Sequence, residues 1–312
     1  MDRRADTDDR QWDTGLVSIA LKRRFQQVDV FSARAGVGNP LAVVFDAEGL
    51  EDGQMQAIAT WANLAETTFI LQPSSPDAHY RVRIFTTRQE IAFAGHPSIG
   101  TAHALLAAGF PAPKSGLLMQ ECQAGLLPIQ QRTLDGIGTL SVRVPRSRIV
   151  RYADATDELL WRALSGCALS SLAPGLVEGG RRWWLAELAD EAAVRNLHPN
   201  LAAIRGLAGQ TQSLGLCVFA RTPGQPFDLV VRAFPLGVGI AEDPASGAAN
   251  AAIAAFLEEA QALGDLGDSY TVSQGREMAR DAQLLVRIDP DRNVWVGGQC
   301  QTVIRGEIAW SH

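Results

Sequence analysis

Lysine is nearly missing from this sequence. Of 28 basic residues only Lys22 and Lys114 are lysine, and the rest are arginine. No basic stripe is present and the formal net charge is −6, so nucleic acid is not an expected partner. No run of 18 apolar residues occurs, which excludes a helical membrane span. The four cysteines, Cys122, Cys167, Cys217 and Cys300, are widely spaced, without a CxxC or a Cys/His cluster. Disulfide-framework, zinc and iron–sulfur readings therefore fall, and free thiols are expected. His79, His103, His198 and His312 share no ligand spacing, so no metal is expected. Gly36-Val37-Gly38 and Gly237-Val238-Gly239 lack the third glycine and the strand–turn–helix context of a dinucleotide loop, and no GKS or GKT occurs. Ser246 lacks the nucleophile elbow of a hydrolase. The expectation is a protein that works without a cofactor.

What is present is an ordinary globular composition, 46% hydrophobic and 20% charged. At 312 residues, two domains are expected rather than one core. Met1–Gly15 mixes acids with arginines and no apolar targeting segment follows, so residues 1–20 are expected to form a flexible extension of a cytoplasmic protein.

The chain also contains itself twice. Val82-Arg83-Ile84-Phe85 returns as Val231-Arg232-Ala233-Phe234. His96-Pro97-Ser98-Ile99-Gly100-Thr101-Ala102 returns as Asp243-Pro244-Ala245-Ser246-Gly247-Ala248-Ala249. The shared pattern is [His/Asp]-Pro-x-x-Gly-x-Ala, at almost the same separation from its partner, half a chain away. Duplication accounts for both matches at once. VRIF and VRAF read as strands, and each [His/Asp]-Pro reads as the start of a helix. The helices that follow, Thr101–Ala108 and Ala248–Ala260, are apolar nearly all round and so are expected to be buried. Further strands are expected at Phe25–Phe31, Leu41–Phe45, Thr67–Leu71, Leu117–Glu121, Leu126–Gln131, Thr139–Val144, Arg182–Glu187, Leu214–Ala220, Ser269–Ser273, Leu284–Ile288, Asn293–Val296 and Thr302–Glu307. Helices are expected at Asp52–Asn63, Asp157–Leu164 and Leu201–Leu207. A linker is placed at Pro145–Asp154. The fold class is α+β, two similar domains related by a pseudo-two-fold, each a curled sheet or barrel around one helix.

Two helix starts facing each other across a cleft would form an anion site. His96 and Asp243 at its mouth could transfer protons. Glu66, where a helix hands over to a strand in Asn63-Leu64-Ala65-Glu66-Thr67, could be desolvated into a general acid/base. Either cap residue can also be read as structural, since Asp is a preferred cap, and a lone glutamate at a helix-to-strand junction such as Glu66 can be read as a surface residue.

Taken together, FQQVDVF with GNPLAVVF, NLAETTFIL, FAGHPSIGTAHALL, EDPASGAANAAIAAFL and VSQGREMAR resemble the PhzF-like phenazine-biosynthesis family, within the diaminopimelate epimerase fold. The resemblance runs from about Phe25 to the C-terminus. It implies domains at 21–148 and 149–312, with a last strand that crosses over, and an active site between them. It implies a cofactor-free isomerase acting on a small carboxylic acid, with Glu66 as principal acid/base, assisted by His96 and Asp243. Asn39, Gly95, Pro97, Ser98, Ser246 and Gly247 are the expected substrate-binding residues, and a homodimer is implied. Ala248 stands where the family often has serine, and Gln274–Ala282 departs from the family's glycine- and proline-bearing segment. Ala94 and Ser246 occupy the places where the two-thiol epimerases of this fold carry cysteine. The competing reading is a non-catalytic relative that binds a small acid or a protein partner in the same cleft.

Overall fold

A computed structural model describes residues 21–134 and 136–310; the N-terminal extension expected at residues 1–20 lies outside the described residues. The first half runs β1 (Leu21–Val30), β2 (Asn39–Val44), α1 (Asp52–Ala62), β3 (Glu66–Leu71), β4 (Tyr80–Thr86), β5 (Glu90–Ile91), α2 (Gly95–Ala107), β6 (Leu117–Cys122), β7 (Gly125–Leu134) and β8 (Ile137–Arg143). β9 (Arg148–Tyr152) trails it, and the second half runs α3 (Glu158–Ala163), β10 (Gly175–Gly179), β11 (Arg181–Glu187), α4 (Glu191–Arg195), α5 (Leu201–Thr211), β12 (Leu216–Arg221), β13 (Leu229–Phe234), α6 (Gly247–Glu259), β14 (Ser269–Gln274), β15 (Ala282–Ile288) and β16 (Val294–Gly298), trailed by β17 (Cys300–Trp310).

The halves repeat one another strand by strand. β1–β2 are antiparallel, β2–β3 parallel around α1, β3–β4 antiparallel and β4–β6 parallel around α2. β10–β11, β11–β12, β12–β13 and β13–β14 follow the same sequence of directions, with α5 and α6 in the crossovers. The fold is the α+β duplication expected. The parallel pairs have helices on their crossovers, as parallel strands require, and β13 is accordingly buried along its whole length.

The halves are joined at three places. β8 pairs with β16 at the centre. β9, the strand that follows β8, pairs with β10 of the second half. β17, the strand that follows β16, returns to pair with β1 of the first half, Leu21 opposite Trp310. Each half thus closes with the strand that trails the other. The linker expected at Pro145–Asp154 is corrected here: it contains β9. That strand sits on a sheet edge with mostly exposed residues, so it lacks the apolar alternation by which a strand is read. β10, flanked by glycines, and the single-turn α4 also went unread.

α2 and α6 are the two central helices. α2 packs on β1, β2, β8 and β17, and α6 on β9, β15 and β16. Ile99, Ala102 and Ala104 of α2 share one apolar cluster with Ala249, Ile253 and Phe256 of α6. Burying an aliphatic side chain such as Ile99 or Ile253 completely stabilises by about 2 kcal/mol. That burial, rather than capping, holds α2, whose Ala94 N-cap has no side-chain hydrogen bond.

Candidate active site

The two central helices start beside each other. A Cβ built on Gly95 would rest 3.5 Å from the Gly247 Cα, and one on Gly247 would lie 3.4 Å from the Gly95 Cα. The first N–H groups of α2, on Gly95 and His96, and of α6, on Gly247 and Ala248, have no carbonyl within their own helix. Two positive helix ends therefore converge.

The pairing of the repeats implied by the motif is corrected by this geometry. The motif matches His96 with Asp243. In the structure Gly95 matches Gly247, so His96 matches Ala248. Asp243 instead matches Ile91: Ile91 pairs with Ile84 of β4, and Asp243 forms the equivalent bridge to Ala233 of β13. His96-Pro97 lies inside the first turn of α2, whereas Asp243-Pro244 precedes α6. The second half has a longer loop here, containing the 3-10 turn Leu236–Val238, and a search for short identities slides across it. Side chains confirm the new register. Arg83 grips Glu90 through Nε–Oε1 at 2.8 Å and Nη2–Oε2 at 2.6 Å. Arg232 grips Glu242 through the same atoms at 2.8 and 2.9 Å.

Glu66 opens β3. The chain leaves α1 through Asn63, which takes the left-handed conformation and donates its N–H to Ala59 O. This tight exit turns Glu66 inward. Its Oε2 lies 3.4 Å from His96 Nε2, and the two side chains keep 15% and 7% exposure. Neither atom has a hydrogen-bond partner among the described residues. Burial, reinforced by the Asp243 charge, pushes the Glu66 carboxyl up to about 8. Burial pulls the His96 imidazole down to about 3. At neutral pH the pair is mostly carboxylic acid beside neutral imidazole. Buried polar groups without a protein hydrogen-bond partner are costly, and perturbed titratable groups of this kind cluster at functional sites.

Asp243 stands near Glu66, close enough for its charge to act on that carboxyl. Its Oδ1 accepts from Asn39 Nδ2 at 3.0 Å and from the Ala245 N–H at 3.2 Å. Burial raises its carboxyl above the usual range, while hydrogen bonds from Ala245, Ser246 and Asn39 oppose that and Glu242 adds to it. Asn39 is the first residue of β2 and also donates to Ala245 O at 2.8 Å. It is set there by Gly38, whose N–H bonds Asp29 Oδ2 at 2.9 Å in a turn too close to Val30 O for any Cβ.

Of the residues expected to bind substrate, Asn39, Gly95, Ser246 and Gly247 come together around the helix ends. Ser246 caps α6, its side chain accepting from the Ala249 N–H. Pro97 is buried in α2. The Ser98 hydroxyl is engaged elsewhere: it donates to Ala94 O and accepts from Gln120 Nε2, both at 2.9 Å. Its repeat-mate Asn250 does the same work, donating to Ser246 O at 2.8 Å and to Gln274 Oε1 at 3.0 Å. Ser98 therefore belongs to the frame of α2.

Sequence reasoning missed Gln274. Its Oε1 accepts from the Ser246 N–H and its Nε2 donates to Asp243 O at 2.9 Å, so it ties both to the end of β14. The signal was the Gln274-Gly275 pair. Gly275 has φ +96° and a Cβ there would fall 2.5 Å from Pro244 O. The segment after it clasps the first half: Asp281 pairs with Arg34 at 2.9 Å, and the Asp281 N–H donates to Val37 O. Among the described residues no three His, Cys, Asp or Glu side chains gather into a metal-binding group, and no helix is long and apolar enough to cross a membrane.

The chain is 35% identical over 295 residues to antisense-enhancing sequence 1 of Schizosaccharomyces pombe, covering 91% of this chain and 97% of that one. It is 30% identical to the trans-2,3-dihydro-3-hydroxyanthranilate isomerase of Pseudomonas aeruginosa, over 85% of this chain and 90% of the other. Its fold matches the crystal structure of a PhzF-family phenazine biosynthesis protein from Bacillus anthracis with a TM-score of 0.78 at 23% identity, covering 92% and 99% of the two chains. The family model for phenazine biosynthesis-like proteins matches residues 28–306, and the chain belongs to that family.

Proposed function

We propose that this protein is a cofactor-independent isomerase or epimerase that moves a proton on a small carboxylic acid held between its two halves. The observation that carries the reading is the buried Glu66–His96 pair, unsatisfied and close to Asp243, where two helix N-termini converge. The helix ends supply N–H groups and positive potential for the substrate carboxylate. Glu66, with its proton affinity near neutrality, is suited to take a proton from carbon and return it elsewhere. His96, neutral at working pH, orients, and Asp243 assists. Asn39, Gly95, Ser246 and Gly247 line the substrate's place. Epimerisation by two thiols has no equivalent here, since Ala94 and Ser246 are the two helix caps.

The relative named trans-2,3-dihydro-3-hydroxyanthranilate isomerase suggests a cyclic amino and hydroxy acid as the first substrate to try. The protein is proposed to act as a cytoplasmic homodimer, which sedimentation of the purified chain tests. The reaction is tested in D₂O by proton NMR on that acid and a panel of amino and cyclic hydroxy acids. Solvent deuterium is expected at carbon in at least one of them. Acids that bind without any exchange would replace the enzyme with a non-catalytic binder.

A further inference from the structure

The Arg232–Glu242 pair is strongly engaged, yet the reaction as read above does not use it. Arg232 is 5% exposed. Besides its two bonds to Glu242 it donates through Nη1 to Val194 O at 3.3 Å and Leu197 O at 2.7 Å, and it stacks on the Phe234 ring at 5.1 Å. A buried ion pair is seldom the most stable filling for its space, so this one calls for a use. Glu242 is the residue before Asp243. The Asp243 N–H in turn bonds Ala233 O at 2.9 Å, beside Arg232 on β13. The Asp243 backbone is therefore pinned to one strand by a fork before it and a bridge at it.

The first half carries the same device. Arg83 holds Glu90 with both oxygens and stacks on Phe85 at 5.2 Å. There the residue after the glutamate is Ile91, which packs against the core. Two copies of one clamp thus present an acid in one half and an aliphatic side chain in the other.

We propose that the Arg232–Glu242 fork is a positioning device for Asp243, fixing its backbone and setting a negative charge behind its carboxyl, while Arg83–Glu90 is the purely structural copy. The inference rests on the reading in which Asp243 takes part in the reaction. Besides Glu242, the titratable groups facing Asp243 from the packed elements are Glu66 on β3 and the buried Cys217 thiol on β12. His96 on α2 faces Glu66. β2, α6 and β14 present the neutral Asn39, Ser246 and Gln274.

The duplicated clamp supplies its own control. Glu242→Gln and Glu90→Gln each break one fork, and both are expected to lower the melting temperature, Glu242→Gln by more, because Arg83 keeps Asp52 at 2.7 Å while the buried Arg232 loses its counter-charge. The Asp243 carboxyl is followed by carbon-13 NMR of aspartate-labelled protein, assigned with Asp243→Asn. Its titration midpoint is expected to fall in Glu242→Gln, which removes a neighbouring negative charge and leaves Arg232 without its counter-charge, and to stay put in Glu90→Gln. On whichever acid the wild type turns over, Glu242→Gln is expected to lose about 10-fold in kcat with KM little changed, as a misplaced group does. Glu90→Gln should keep the wild-type rate. Arg232→Lys keeps the charge but not the fork; it should lose rate with the Asp243 midpoint near wild type, and it serves if Glu242→Gln fails to fold. The proposal is overturned if Glu242→Gln leaves midpoint and rate unchanged, or if both glutamine variants change them alike. An Asp243→Asn variant at the wild-type rate would instead remove Asp243 from the reaction, and the NMR comparison, which uses no substrate, keeps that failure separate.

Discussion

Replacing Glu66 by glutamine should make the protein more stable at pH 8 while disabling it. The folded site holds this carboxyl at about 8 against an ordinary 4.5, chiefly by burial. The unfolded chain therefore releases the proton at lower pH than the folded one. Between those values the folded state binds more protons, so stability declines as pH rises from about 4.5 through about 8. At about 1.4 kcal/mol per pH unit, the accumulated cost is on the order of 1 kcal/mol at pH 5.5 and on the order of 4 kcal/mol at pH 8. Glutamine keeps the shape of the protonated acid and never ionises. The assay is guanidinium unfolding of wild type and Glu66→Gln at pH 5.5 and 8, followed by tryptophan fluorescence. The variant should gain on the order of 3 kcal/mol more at pH 8 than at pH 5.5. A variant no more stable than wild type at pH 8 would mean that Glu66 is solvated, and the argument from desolvation to acid/base chemistry would fall with it. A gain in stability with a loss of activity is the exchange expected at a site built around a strained group.

The same variant should lose at least about 10²-fold in kcat, with substrate affinity within a few-fold, in deuterium-exchange kinetics. In the wild type, kcat/KM should rise with pH to a plateau above about 8, where free Glu66 is a carboxylate; a rate that falls through that range would make Glu66 enter as an acid. His96, held at about 3, gives the opposite slope: the folded state refuses a proton that the unfolded state accepts below about 6.5, so stability is lost as pH falls from there toward 3. Its replacement by Asn should lessen the acid destabilisation of the wild type, as read in unfolding midpoints between pH 6 and 4. Gly275→Ala, forced to φ +96° against Pro244 O, should cost about 2 kcal/mol or more and lower the rate through Asp243; a melting point equal to wild type would contradict the close approach.

Much of this was legible because it is local. Glu66 at a helix-to-strand handover, and a Gly-His-Pro opening an apolar helix, announce themselves along the chain. VRIF and VRAF carry the duplication without any structure. The register of the duplication was not legible in the same way. Pro97 and Pro244 look alike as letters, but one stands inside a helix turn and the other before it. The true correspondence is carried by Gly95 with Gly247, which touch, and by Arg83–Glu90 with Arg232–Glu242, which meet across a hairpin. Both are facts of space. Edge strand β9 escaped for another reason: its residues are mostly exposed, so nothing in Arg148–Tyr152 foretells its pairing with β10. Ser98 was assigned to the site by its neighbours, and Gln120, far along the chain, claims it for the frame.

The pairing of Leu21 with Trp310 leaves the molecule almost a closed loop. The two ends of the described residues lie side by side on adjacent strands, where the second half has a covalent connection through α3 between β9 and β10. A permuted gene that joins 310 to 21 through a short glycine-rich segment and opens at the exposed Ser165-Gly166 turn after α3 would write the halves in reverse order. Every strand would keep its neighbours, and Glu66, His96 and Asp243 would come together again. Splitting the chain into two separate polypeptides after Tyr152 is a different operation: each piece would then carry the strand that its counterpart needs, β9 for β10 and β17 for β1, so neither would be expected to fold until they are mixed.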